Sequence, residues 1–253
     1  MPNTLTGTEA AAAIYAQVRA RAARLTEPPC LAAVSVGAQP DDRAYLRSIA
    51  LSAAGCGVTV RPVPLPADCA PETLTDTLRT LSADDGVHGV LLLRPLPAAL
   101  RAQEILDALD ARKDVDGMTT WSLGALVTGA TGFAPCTAEA CRELLRAHSI
   151  DPAGRRVTVV GRSLVIGRPA ALLLTRADAT VTLCHRKTPD RAAAAAYCAG
   201  CRKIPPFLSK YSQTVVPFHR ARRYNIGYYH FGGRPLANLI EKIKDKRAPA
   251  PET

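Results

Sequence analysis

Arg155-Arg156-Val157-Thr158-Val159-Val160-Gly161-Arg162-Ser163-Leu164-Val165-Ile166-Gly167-Arg168-Pro169 is the stretch that decides how this chain reads. Residues 157–160 are apolar and β-branched, the pattern of a buried strand. The run stops at Gly161, and Gly167 and Pro169 open a helical pattern that continues to about residue 176. A strand that turns through glycines into a helix brings backbone N–H groups to a helix N-terminus, an anion site suited to a dinucleotide pyrophosphate. The spacing departs from Gly-x-Gly-x-x-Gly, so the same residues also fit a tight strand–helix turn whose glycines serve packing.

Working outward, strand and helix patterns alternate. Apolar positions at helical spacing (Ile14, Val18, Ala22, Leu25) predict a helix over 9–25. A strand follows over 31–36, then a helix capped by Asp41 or Asp42 that runs through Tyr45 and Ile49 to residue 54. Strands are expected over 58–63 and 89–93, with a helix from Pro71 between them carrying Leu74, Leu78 and Leu81. Further helices are expected over 102–109 and, capped by Thr137, over 138–147. A second strand at 180–184 completes the unit begun at 157, and Asp190 can cap a helix to about Cys198. Strands and helices in this order predict parallel βαβ units and an α/β fold. After that the pattern weakens: strands over 213–218 and 225–231, a short helix over 235–244 and a disordered end at 248–251.

Composition narrows the classes. With 253 residues the chain holds one large or two small cores. No segment has the apolar length of a membrane span, and the N-terminus lacks a signal pattern, so a cytoplasmic protein is expected. The eight cysteines then read as reduced and mostly buried. Cys198-Ala199-Gly200-Cys201 has redox or zinc spacing, but a single pair with no strand before it gives no metal site. The net charge of +10 is uneven: from Asp190 onward twelve Lys and Arg face four Asp and Glu, and eight of the eleven Tyr and Phe also lie there. That distribution argues against a nucleic-acid surface on the body of the protein and marks the tail as a segment of different character.

Four blocks in order carry a resemblance: Val34-Ser35-Val36-Gly37 with Pro40 and Tyr45; Gly89 to Pro97; Lys113-Asp114-Val115-Asp116-Gly117; and Pro135-Cys136-Thr137 through the Gly161-Arg162-Ser163 turn to His185. Over residues 8–189 the chain resembles the bifunctional methylenetetrahydrofolate dehydrogenase/methenyltetrahydrofolate cyclohydrolase family. The resemblance implies a parallel-sheet folate-binding domain over 1–136, then a Rossmann-type NADP-binding domain over 137–253. That second domain is expected to be incomplete, with an atypical tail from about residue 190. It further implies tetrahydrofolate derivatives as substrates, NADP as cofactor, a homodimer, and a place in one-carbon metabolism and purine biosynthesis.

Carried over residue by residue, the resemblance makes Tyr45 the ring-stacking tyrosine of a Tyr-x-x-x-Lys pair whose members share one helix face. The lysine, the proton-transfer group of the cyclohydrolase step, is Ile49 here. The glutamine that tunes it is Leu93, and the Leu-Pro-Leu-Pro run after it reads Arg94-Pro95-Leu96-Pro97. An aliphatic pair has no proton to give or take, so the cyclohydrolase is expected to be lost and the dehydrogenase impaired. The family's serine two residues after the proline is Asp42. Asp116 matches the carboxylate that hydrogen-bonds the pterin. On the cofactor side Thr137, Gly161, Arg162, Ser163 and Gly167 match. The basic run His185-Arg186-Lys187 stands where an acidic residue would favour an unphosphorylated ribose, so NADP is expected over NAD. A non-catalytic folate- and NADP-binding protein, and a frameshifted or decayed product without a stable fold, are the alternatives.

Overall fold

The computed structural model describes residues 3–37, 40–191, 194, 215–217 and 223–225. Among them the chain divides into two compact units, one of residues 11–136 and one joining the residues before 11 to those from 137. In chain order the elements are β1 (Asn3–Thr4), α1 (Thr8–Ala22), β2 (Cys30–Val36), α2 (Pro40–Ala54), β3 (Thr59–Leu65), α3 (Pro71–Ala83) and β4 (Gly89–Leu92). There follow a single turn α4 (Gln103–Leu106), α5 (Thr120–Thr128), α6 (Cys136–Ala147), β5 (Arg156–Val160), α7 (Gly167–Arg176), β6 (Thr180–Cys184), β7 (Val215–Pro217) and β8 (Arg223–Asn225).

In the unit of residues 11–136 the sheet is parallel in the order β3-β2-β4. Side chains alternate across a strand, and the two faces of this sheet fill two cores. Leu31 and Leu91 pack with Ile14 and Val18 of α1 and with Ile49 and Ala53 of α2. Ala32, Val34, Val90 and Leu92 pack with Leu74, Leu78 and Leu81 of α3. Helices on both faces explain why β2 and β4 are almost unbroken apolar runs. The edge strand β3 is mostly exposed and carries Pro62 and Pro64, residues an edge tolerates because one side of its ladder needs no donors.

In the other unit β5 and β6 pair in parallel from Arg156↔Thr180 to Val160↔Cys184. Val157 and Val159 bury against Leu144 and Leu145 of α6 and Leu174 of α7, with Leu5 and Ile150 closing the cluster. β8 pairs in parallel with β1 and antiparallel with β7.

Several element boundaries differ from expectation. α2 begins at Pro40, ahead of the aspartates expected to cap it, because proline is preorganised for a first helical position. α6 begins at Cys136, so Thr137 sits in its first turn rather than at the cap. The helix expected over 102–109 is cut to α4, since Asp107 turns its carboxylate away to Thr120, accepting from its N–H (2.7 Å) and its hydroxyl (2.6 Å). Of the strand expected over 225–231, Asn225 alone is described, as the last residue of β8, and residues 226–231 lie outside the described residues. Of the helix expected from Asp190, residues 190, 191 and 194 are described; the Cys198/Cys201 pair, the 235–244 helix and the 248–251 end lie outside the described residues. No described helix is long and apolar enough to cross a membrane.

Candidate functional site

On the unit of residues 11–136, α2 places Tyr45 and Ile49 one turn apart. Tyr45 is half-buried at the margin of the core shared by α1, α2 and β4, and Ile49 lies inside it with no exposed surface. Leu93, just past β4, enters the same core at 7% exposure. The two positions that would carry a proton-transfer pair are thus members of one apolar cluster, which also holds Val115 and Leu91.

The Lys113–Gly117 block is mostly architecture that presents Asp116. Lys113, 9% exposed, donates through Nζ to the carbonyls of Leu81 (3.1 Å) and Asp84 (2.7 Å) at the end of α3. Asp114 is fully buried; its Oδ2 accepts from the Thr119 N–H (2.8 Å), the Thr119 hydroxyl (2.9 Å) and the Ser122 hydroxyl (2.7 Å), fixing the start of α5. Gly117 has φ +63°, and a Cβ there would sit 2.6 Å from the Phe133 carbonyl oxygen, so only glycine fits. Replacing Asp114 by Ala leaves the Thr119 N–H without its acceptor in the interior and the Thr119 and Ser122 hydroxyls with only each other and the Ser122 N–H. We expect Asp114→Ala to lose about 3 kcal/mol or more of stability, read in urea titrations from Trp121 on α5, the chain's single tryptophan.

Asp116 is the member of the block that remains reachable, its side chain 20% exposed. Sequence reasoning passed over its partner: Arg94 Nη2 lies 3.1 Å from Asp116 Oδ2, and the arginine side chain is 25% exposed. The only signal was an arginine where the family run has an apolar residue. Burial pushes the Asp116 carboxyl above the usual carboxylate range; Arg94 and the Cys136 thiol pull it back, and the charge of Asp114 adds to the rise. The Cys136 thiol also donates to the Val115 carbonyl at 3.2 Å.

On the other unit the glycine turn lies at the C-terminal ends of β5 and β6, tied across by the Gly161 N–H to the Cys184 carbonyl (2.8 Å). Gly161 has φ +128° and open space where a Cβ would stand, whereas a Cβ on Gly167 would fall 1.9 Å from the Gly161 carbonyl oxygen. The first turn of α7 differs from the expected anion site. The Ser163 hydroxyl accepts from the Ile166 N–H (3.1 Å) and, more weakly, from Gly167 (3.5 Å), while the Ser163 carbonyl accepts from Arg168 (3.1 Å). Pro169 has no N–H to offer. Helix-end donors are therefore used internally, and the donors left for an anion are the loop N–H groups of residues 162–165 and the exposed Arg162 guanidinium. Across the sheet edge a tight turn holds His185: its N–H donates to the Thr188 hydroxyl (2.9 Å), and its Nδ1 accepts from the Lys187 N–H (3.1 Å). That turn leaves Arg186 and Lys187 exposed. A glycine turn open to ligand, loop N–H groups and exposed cations at the carboxyl ends of parallel strands together suit a phosphorylated dinucleotide. Thr137 stands in the first turn of α6, half-buried. No group of three or more His, Cys, Asp or Glu among the described residues has the geometry of a metal site.

Residues 5–116 match the family described as tetrahydrofolate dehydrogenase/cyclohydrolase, catalytic domain, and residues 135–198 match its NAD(P)-binding domain. The bifunctional protein FolD of Chloroflexus aurantiacus is 43% identical over 183 residues, which cover 72% of this chain and 64% of that protein. The FolD of Nocardia farcinica is 42% identical over 193 residues, 75% of this chain and 68% of that protein. The chain thus spans somewhat under two thirds of the length of relatives such as the Chloroflexus protein. Among solved structures, the bifunctional FolD of Campylobacter jejuni aligns with a TM-score of 0.80 at 26% identity, covering 96% of this chain and 99% of that one. The Trypanosoma brucei enzyme, complexed with NADP cofactor and inhibitor, shares the fold at a TM-score of 0.80 and 24% identity, covering 98% of this chain and 99% of that one.

Proposed function

Because this chain belongs to the tetrahydrofolate dehydrogenase/cyclohydrolase family, we propose that it binds a tetrahydrofolate derivative on the domain of residues 1–136 and NADP on the domain from residue 137. Of the family's two activities, the cyclohydrolase is lost; the oxidation of methylene- to methenyltetrahydrofolate, with hydride passing to NADP, is impaired. The observation that carries this reading is that Ile49 and Leu93 share one apolar cluster, Ile49 with no exposed surface.

Each side chain has a task on this reading. Tyr45 offers a ring at the edge of the cluster for the flat pterin to stack on. Asp116, an acceptor when ionised, takes the donor-rich edge of the heterocycle. Arg162 and Arg186 meet the 2′-phosphate, and the glycine turn lets the loop N–H groups approach the pyrophosphate. When bound, the dinucleotide supplies the hydride acceptor; the protein's part is to hold the reactants, and the resemblance of residues 135–137 to the family supports a role for Thr137 on the nicotinamide side. A homodimer and a cytoplasmic location belong to the same proposal.

Two measurements test it. Absorbance of reduced cofactor, followed with methylenetetrahydrofolate and NADP, should give slow turnover; rapid turnover would refute impairment, and tight binding of both ligands without turnover would favour the non-catalytic reading. The second concerns cofactor choice. Isothermal titration should give tighter binding of NADP than of NAD, and Arg162→Ala should reduce that preference about tenfold or more, the effect of losing one charge-assisted contact. Equal affinities in the unmutated protein would contradict the assignment.

A further inference from the structure

Arg94 and Asp116 lie 22 positions apart in sequence and meet through a single contact, Nη2 to Oδ2 at 3.1 Å. Both side chains keep a fraction of their surface open, 25% and 20%. Arg94 makes no other hydrogen bond to a described residue, so one of its five donors is used. Its neighbour Leu93 turns into the apolar cluster with Ile49. The same short segment therefore sends an apolar side chain into the interior and sets a guanidinium beside the reachable carboxylate of the Lys113–Gly117 block.

Resting on the reading that residues 1–136 take a pterin, we propose that Arg94 is the positioning residue for Asp116, holding its carboxylate ionised and oriented so that its remaining lone pairs face a donor-rich ligand edge. An ionised carboxylate has about four acceptor sites; Arg94 and the Cys136 thiol are the side chains that hydrogen-bond to it, and the others are left for a ligand. The groups that face Asp116 are Arg94, the Cys136 thiol and Asp114. Burial and the charge of Asp114 both favour the neutral acid, and Arg94 is the one full positive charge opposing them. A neutral carboxyl would present a hydrogen where the ligand also presents hydrogens. Arg94 thus sets the pH range over which this face recognises its ligand, without touching the ring itself.

The test uses the full chain as wild type, Arg94→Leu, Arg94→Lys and, as a control remote from the site, Arg79→Ala. Folic acid serves as the probe, titrated by fluorescence between pH 5 and 9, and the Asp116 carboxyl is followed by carbon NMR. Arg94→Leu should bind folic acid about tenfold more weakly at pH 7, with the pH midpoints of binding and of the Asp116 titration both moved upward. Arg94→Lys should restore most of the affinity, and Arg79→Ala should match the wild type. An Asp116 midpoint that stays in place in Arg94→Leu, or a lysine variant no better than the leucine one, would overturn the proposal. If the wild type fails to bind folic acid, the pterin reading fails, and the NMR midpoint alone still decides the role of Arg94. Should the leucine variant not fold, Arg94→Gln keeps the length without the charge and is read in the same way.

Discussion

Pure protein mixed with methenyltetrahydrofolate should hydrolyse it no faster than buffer alone. A positioned acid–base group contributes roughly 10² to 10⁴-fold to such a step, and the side chain at position 49 has no proton to exchange. Solvent cannot substitute for it there, since Ile49 has no exposed surface and lies in one buried cluster with Leu91, Leu93 and Val115. Reinstating the lysine alone should fail. Ile49→Lys buries an ammonium among aliphatic side chains, which we expect to cost about 3 kcal/mol or more in stability. Ile49→Lys with Leu93→Gln gives the ammonium an amide oxygen to meet, and this pair should recover measurable hydrolysis where either single change does not. Decay of methenyltetrahydrofolate absorbance checks all four proteins; enzymatic hydrolysis by the unmutated chain would refute the loss.

The second large effect is expected at Gly167. An alanine there would drive a methyl group to within 1.9 Å of the Gly161 carbonyl oxygen and 2.9 Å of the Arg162 nitrogen, both backbone atoms that can yield only if the turn opens. Opening it displaces the loop N–H groups of residues 162–165 and moves Arg162 away from the sheet edge. Gly167→Ala should therefore weaken NADP binding by roughly 100-fold or more, the loss of at least two charge-assisted contacts at once. The comparison is Gly124→Ala on α5, where a Cβ meets nothing within 4 Å. That change should leave binding intact and add a few tenths of a kcal/mol to about 1 kcal/mol of helix stability. Calorimetric titration of NADP and thermal melts of both variants would check this; unchanged affinity in Gly167→Ala would remove the turn from the cofactor site.

The parallel strands were legible because their information is local. β2, β4 and β5 are apolar runs bounded by glycine or turn residues, and α3 announces itself by Pro71 and the Leu74, Leu78, Leu81 spacing. α5 gave no such signal. Its residues, Thr120 to Thr128, have no clear polar and apolar faces; Thr119 caps its start and Gly129 its end, and Thr119 is itself held by Asp114, a side chain outside the helix. α4 was over-extended for the same reason, since Asp107 is drawn to Thr120, 13 positions on. In the candidate site the residue types of the glycine turn were readable, but the use of Ser163 to satisfy the helix-end N–H groups was not. That depends on where the loop of residues 161–166 folds back. Arg94 was missed because its partner is named only by the tertiary fold.

The shared burial of Ile49 and Leu93 also bears on descent. On the proposed reading, in which both positions became aliphatic, the change is not easily reversed. A mutation to lysine alone leaves a charge without a partner, and one to glutamine alone leaves an amide without one; each single variant is expected to be less stable than the present protein and to gain no activity by which selection could keep it. The packed cluster thus acts as a ratchet. If the cluster replaced a lysine and a glutamine, as the proposed function holds, those two residues could return together or not at all, because Leu91, Val115 and Ala53 fill the same core.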